Sequence, residues 1–341
     1  ITTLTIAGGG AEKESIESIK FKATKFYTSQ NRLVTLNDYK AKVQEYYPNA
    51  DAVAVWGGED NDPPEYGKVF ITLKPQNSDY LSTVEKNQVQ NKLNQLNMLT
   101  VRPVIVDAEI VKILLTTVFK YNEADTTLSK GELETIVRNG IVSFDNTNLN
   151  NFDSIFRHSN LVKAIDETNV AILSNVTNVR LQKRKHLKIS LTEGFNVIFG
   201  NGFYHPHDGH NKAAGGILTS TGFKVEGDTV NTYFFDDDGS GNVRRYSLDS
   251  GTRVFADQNA GTIDYTSGKI SIDAIKFTST VNSDTSIDFT VIPSSGDVVA
   301  IRGSLVDISI DDIRVSGEVD TISSGESSAG VGFVSTSSTN Y

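Results

Sequence analysis

The segment Tyr204-His205-Pro206-His207-Asp208-Gly209-His210 holds three of the five histidines in the chain. A His-x-His step followed by an aspartate and a third histidine offers imidazole nitrogens and a carboxylate, a donor set that zinc or iron accepts. One reading is therefore a metal-dependent hydrolase centred on His205, His207 and His210. The bland reading is a polar surface loop introduced by the turn pair Asn201-Gly202. The loop is preferred, because no second group of ligands elsewhere in the sequence completes a site. A second candidate is Asp236-Asp237-Asp238-Gly239-Ser240-Gly241-Asn242. Asp236, Asp238, Ser240 and Gly241 fall at positions one, three, five and six of a calcium loop, where alternate oxygens point inward and glycine makes the sharp turn. Position twelve is Ser247, which has no carboxylate to give. Tyr233-Phe234-Phe235 and Val243-Arg244-Arg245-Tyr246 read as flanking strands, so a tight β-hairpin with glycine at positive φ is the better reading. A calcium- or glycan-binding β module is the alternative.

Other charged runs carry less. Arg180-Leu181-Gln182-Lys183-Arg184-Lys185-His186 lacks the interleaved aromatics of a nucleic-acid surface and reads as a solvated strand face, with contact to an acidic partner as the second reading. Gly8-Gly9-Gly10 lacks the Lys-Ser/Thr of a phosphate loop and reads as a linker. Asp311-Asp312 has no companion base for acid and base work. No catalytic residue, cofactor or metal ligand is assigned, and the expectation is a protein that is not an enzyme.

The elements that position these segments divide at about His186. Before it, strands and helices alternate. Thr35 with Asp38, Ser82 with Glu85 and Ser129 with Glu132 are capping signals for helices whose buried stripes are Tyr39, Val43 and Tyr46, then Val89, Leu93 and Leu96, then Leu133, Ile136 and Val137. An earlier helix is expected from Ile16, Ile19, Ala23, Phe26 and Tyr27. In the connector after it, Asn31 suits a left-handed or capping position, and Arg32 is expected to be buried and hydrogen-bonded. Strands are expected at Asp51 to Trp56, Lys68 to Leu73 and Val170 to Leu181, and a further helix from Phe152 to Glu167. Val104 to Tyr121 reads as one strand whose apolar phase shifts by a residue, which predicts a β-bulge near Val111-Lys112. The order predicts an α+β fold, a mixed sheet with helices on one face. After His186 the runs Leu187 to Leu191, Phe223 to Val225, Lys269 to Ile272 and Ser286 to Val291 are separated by Gly, Asn, Asp and Ser, which predicts an all-β domain. The expected divisions are 1–48 (linker and two helices), 49–185 (α+β), 186–322 (β-rich) and a Ser/Gly-rich tail at 323–341, whose order would come from a neighbour.

Composition excludes several classes. The chain has 341 residues, 38% hydrophobic and 22% charged, with net charge -10 and a sequence pI near 5.1. Acidic balance argues against a sequence-independent nucleic-acid binder. Zero cysteines exclude a disulfide scaffold and fit synthesis in a reducing cytoplasm. No apolar run is long enough to span a bilayer, and no membrane role is expected. A start at Ile1 with Met98 as the lone methionine suggests a piece of a longer chain.

One stretch resembles a known family. The run ESIESIKFKATKFYTSQNRLVTLNDY, Glu14 to Tyr39, resembles the segment S-I-x-x-I-K/R-x-x-A-P-x-x-F-x-x-Q-N-R-A-V-T-x-x-D-Y of the baseplate J family of contractile-tailed phages. Gln30-Asn31-Arg32, Thr35 and Asp38-Tyr39 stand at the family's spacing, and Thr24 replaces the usual proline. Tyr233 to Arg244 and Gly261 to Ile270 look like the C-terminal module of the family's wedge proteins. The resemblance implies a structural virion protein of the tail baseplate, assembled in the host cytoplasm. It also implies a subunit that pairs with itself, closes into a ring around the hub beside other wedge and hub proteins, and takes part in triggering sheath contraction.

Overall fold

The computed structural model describes residues 16, 19–20, 23, 32–61, 64–76, 80–149, 151–152, 154–210, 216–301 and 303–321. It has two compact units, Ile1–Glu109 with Asn150–Asp153 and Arg302–Leu305, and Ile110–Leu149 with Ser154–Ile301 and Val306–Tyr341. The architecture is α+β with mixed sheets.

In the first unit, β1 (Ala50–Gly57) pairs antiparallel with β2 (Lys68–Pro75), and β2 pairs parallel with β3 (Arg102–Val106). Helix α1 (Leu36–Tyr46) starts at a reciprocal cap in which the Thr35 hydroxyl accepts from Asp38 N and the Asp38 carboxylate accepts from Thr35 N. Ser82 and Glu85 cap α2 (Thr83–Asn94) in the same way. These caps satisfy N–H groups that the first helical turn leaves without intrahelical partners. Side chains alternate across a strand, so Val69, Ile71 and Leu73 share one face of β2. They join Tyr39 and Val43 of α1, Val89 and Leu93 of α2, Val53 and Ile105 in one core. Leu33 enters the same core, its N–H donating to Leu96 O at 3.1 Å. Of the expected earlier helix, Ile16, Ile19 and Ala23 are helical and exposed, while Phe26, Tyr27, Gln30 and Asn31 lie outside the described residues. Arg32 is exposed, so its expected burial does not hold. Its neighbour Leu33 takes the inward position instead.

In the second unit, β4 (Glu109–Tyr121) and β6 (Ile172–His186) form a long antiparallel pair. Strands β14 (Ser286–Val291), β8 (Thr219–Ser220) and β16 (Ser304–Ile308) extend that sheet, and β17 (Arg314–Val319) adds parallel to β4. Helix α3 (Lys130–Asn148) begins at the Ser129 and Glu132 cap. Its Leu133, Val137 and Ile141, with Leu161 and Ile165 of α4 (His158–Asp166), pack in one core with Ile113, Leu115 and Phe119 of β4.

After His186 the described residues contain strands, turns and a short 3-10 segment. Strands β9 (Phe223–Val225), β10 (Asp228–Asp237), β11 (Asn242–Asp249), β12 (Thr252–Asp264) and β13 (Lys269–Thr280) pair in order. The β12–β13 and β13–β9 pairings close the sheet into a small barrel, and β7 (Thr192–Ile198) adds to β13. Closure removes the sheet edges that an open meander would leave. Phe223, Phe235, Val243, Ile263, Ile270 and Phe277 fill the interior.

Three expectations fail locally. The run Val104 to Tyr121 is two strands, not one strand bulged at Val111-Lys112: β3 ends at Val106 and pairs in one sheet, β4 starts at Glu109 and pairs in another. The sheet changes at residues 107–108, ahead of Val111-Lys112, and the register of β4 on β6 runs without interruption from Val111 to Lys120. Pro103 and Ile105 are inward in β3 while Val104 and Val106 are half-buried. Phe152 to Glu167 contains the two-residue strand β5 (Ile155–Phe156) before the shorter α4. Leu187 to Leu191 is a turn, with Ser190 at φ 67°. Gly8-Gly9-Gly10 and the tail from Ser323 lie outside the described residues. Among the described residues, no helix is long and apolar enough to cross a membrane.

Candidate functional site

Both chemistry-bearing segments meet in the barrel. The connection from β10 to β11 is a hairpin in which Asp237 pairs with Val243. Gly239 has φ 70° and Gly241 φ 99°, left-handed values that favour glycine. A Cβ on Gly239 would collide with the His210 backbone. Asp238 holds the turn: Oδ1 accepts from Ser240 N at 2.8 Å and Asn242 N at 3.0 Å, and Oδ2 accepts from Asn242 Nδ2 at 2.8 Å. Partial burial works to raise its pKa, but these hydrogen bonds win and hold it below the ordinary carboxylate value.

Asp236 is fully buried. Arg244 grips it with Nε to Oδ1 at 2.9 Å and Nη2 to Oδ2 at 3.1 Å, and Arg253 Nη1 reaches Oδ2 at 2.8 Å. Burial pushes the Asp236 carboxyl up, against the pull of both guanidiniums. Each arginine also lies over an aromatic face, Arg244 over Phe255 at 4.4 Å and Arg253 over Tyr246 at 4.7 Å. Asp237 is equally enclosed. Its Oδ1 accepts from Ile217 N at 2.7 Å and Leu218 N at 2.8 Å, and its Oδ2 from Gly239 N at 3.2 Å and Tyr265 Oη at 2.7 Å. Burial, and then the charge of Asp237, push the Tyr265 hydroxyl pKa well up, so it remains a donor.

The hairpin was readable from sequence, but its partners were not. The calcium spacing draws the eye to Asp236 and Asp238 and passes over Asp237, which ties together three separate stretches of chain. Asp236 and Asp238 spend their oxygens on protein donors instead of converging on an ion. Arg244 was in view only as part of a strand, and Arg253 and Tyr265 carried no signal, because their role depends on strand pairing.

The histidine segment lies against this hairpin, with Gly209 N donating to Gly239 O at 2.7 Å. His205 stacks flat on Tyr265, ring centroids 4.0 Å apart and planes 2° from parallel, and its Nε2 is 3.2 Å from Asp208 Oδ1. His207 and His210 face each other edge to face, and Tyr204 packs its ring against His210. Among the described residues, no group of three or more His, Asp or Glu side chains is arranged to hold a metal ion. The hydrolase alternative therefore finds no three-ligand group among the described residues: His205 is stacked on Tyr265, and His207 and His210 contact each other.

The basic run lies on β6 and alternates. Lys183 is buried and donates to Ile198 O at 2.6 Å, so the run is not wholly a solvated face. Arg184 pairs with Asp288 through Nε to Oδ1 at 2.7 Å and with Asp284 through Nη1 at 3.3 Å. Asp312 accepts from Ser309 Oγ at 2.7 Å inside a 3-10 turn.

Comparison with known proteins places this fold. Residues 35–106 match the family model of baseplate structural protein gp6, C-terminal domain I, and residues 111–184 that of gp6, C-terminal domain III. These two stretches carry gp6-type C-terminal domains of a baseplate structural protein. The boundary between the two matches falls in the β3–β4 connection, where the chain changes sheet. Baseplate wedge protein gp6 of Enterobacteria phage T4 is 27% identical over 177 residues, which covers 51% of this chain and 26% of that protein. A cryo-EM structure of the anti-feeding prophage baseplate, 6-fold symmetrised, is similar with a TM-score of 0.36 at 14% identity, over 50% of this chain and 39% of that one. The barrel and its polar hairpin lie beyond the two gp6 domain matches.

Proposed function

We propose that the chain is a non-enzymatic structural subunit of a contractile-tail baseplate wedge, located in the virion. In this reading it pairs with itself, closes into a ring around the hub beside other wedge and hub proteins, and takes part in the rearrangement that triggers sheath contraction. The observation that carries it is the pair of consecutive gp6 domain matches meeting at the β3–β4 connection. Ring closure requires one heterologous contact or two distinct self-contacts, because a single isologous patch stops at a dimer. In the same reading helices cover one face of each mixed sheet, which the shared cores of α1 with α2 and α3 with α4 support. The charges that look chemical in sequence are spent on holding the barrel together, which suits a part that transmits force.

Sedimentation velocity at micromolar to tens-of-micromolar concentration tests the association, with dimers or larger species expected. Immunogold labelling of intact tails tests the location. A strictly monomeric profile together with tails that carry no label at the baseplate would sink the proposal.

A further inference from the structure

We propose that His207 and His210 form a two-nitrogen chelate for a late first-row divalent cation, Cu2+, Ni2+ or Zn2+. His207 Nδ1 lies 3.1 Å from the backbone oxygen of Asp208, which can only accept, so Nδ1 carries the proton and Nε2 keeps its lone pair. Orientation of a ligating imidazole through its other nitrogen by a backbone carbonyl is the usual arrangement at metal sites. That Nε2 is paired with Nδ1 of His210 at 3.4 Å, a contact whose shared proton an incoming ion would displace.

The separation also suits an ion between the rings. Without one, the two nitrogens share a hydrogen bond longer than the usual N–H···O range of about 2.7–3.2 Å. Two nitrogens each about 2.0–2.1 Å from a tetrahedral ion stand about 3.3–3.4 Å apart, which is the spacing seen. The loop is also held in place rather than left to find its geometry. His210 N donates to His207 O at 3.2 Å, and Gly209 is anchored to Gly239 of the hairpin. Neutral imidazole suits late first-row ions and not calcium or magnesium, and affinity rises to a maximum at copper. His205 is not a ligand, since its Nε2 is turned to Asp208 and its ring is stacked on Tyr265. Water fills the other coordination positions, so the site is open and its affinity modest.

Titration calorimetry of Cu2+, Zn2+ and Ca2+ into the chelator-treated chain, free of any histidine tag, tests this. The expected result is saturable binding of one Cu2+ per chain, weaker Zn2+ and no Ca2+. His207→Ala and His210→Ala should each weaken Cu2+ by about tenfold or more, as expected when one of two nitrogen ligands is lost. His205→Ala should change it by less than about threefold, because that ring lies outside the coordination shell. Unchanged circular dichroism of each variant shows that the fold is kept. Absence of saturable Cu2+ binding overturns the proposal. So does binding that survives the His207→Ala/His210→Ala double variant, which would put the ion at His158 or His186, or an equal loss in His205→Ala.

Discussion

Two neighbouring segments of the barrel, Asp236 to Asn242 and His205 to His210, look alike in sequence: short, polar, glycine-containing and rich in metal-ligand types. They end up opposite in use. The hairpin turns its carboxylates inward, where Asp236 and Asp237 meet two arginines, a tyrosine and three backbone N–H groups. The histidine loop keeps His207 exposed and His210 half-buried. A buried polar group is costly unless every donor and acceptor is matched, so the hairpin charges are bound up in the fold. Exposed imidazoles carry no such obligation. Stability and the proposed ligand chemistry fall in adjacent loops joined by the Gly209–Gly239 backbone hydrogen bond.

The sharpest way to break this contrast is Asp236→Ala. It strips Arg244 and Arg253 of their shared carboxylate in a buried setting, where losing one partner costs about 3–5 kcal/mol. For a unit of this size the melting temperature should fall on the order of 10 °C, measured by calorimetry. Replacing Asp236, Arg244 and Arg253 together with Leu, Met and Met should recover much of that loss, because apolar groups of similar volume need no partner. A single variant that melts like the parent would show that the triad is not load-carrying in stability.

Tyr265→Phe is a milder version. It removes one hydrogen bond to Asp237 while keeping the ring on which His205 stacks, and should cost about 1–3 kcal/mol by leaving a buried carboxylate oxygen one donor short. Copper binding at His207 and His210 should be kept in this variant. Loss of binding alongside stability would show that the two loops are not independent.

The smallest effect expected is that of calcium. With Asp236 and Asp238 already saturated by protein donors and Ser247 at the twelfth position, millimolar calcium should leave the melting temperature unchanged. A rise of several degrees that Asp238→Ala abolishes would return the hairpin to the status of an ion loop.

What could be read without coordinates was local. Thr35 with Asp38, Ser82 with Glu85 and Ser129 with Glu132 specify helix starts because a cap involves residues three apart, and all three form reciprocal caps. Phe223 to Val225 and Ser286 to Val291 are strands with those bounds, set by alternation and flanking turns. The Gly-rich turn after Asp238 was fixed by residues that tolerate positive φ. Of the run Glu14 to Tyr39 that resembles the baseplate J family, Thr35 to Tyr39 lies inside the gp6 domain I match.

What failed or stayed hidden depended on which strand lies beside which. Val104 and Val106 alternate like inward residues of one strand running on to Ile110, yet Pro103 and Ile105 take the inward positions and the chain changes sheet before Glu109. Leu187 to Leu191 alternates like a strand, yet it is a turn between β6 and β7, with Ser190 left-handed. Arg32 had the side chain for a buried contact and is exposed, because Leu33 takes the core position. Asp237 and Tyr265 are 28 residues apart, and only the register of β10, β11 and β12 brings them to 2.7 Å. Sequence alone determined where helices start, where the chain turns and which segments are rich in ligand types, since each rests on neighbours a few residues away. Tertiary structure alone decided which of those ligand types are consumed in the core and which face water, since burial and hydrogen-bond partners come from strands distant in the chain.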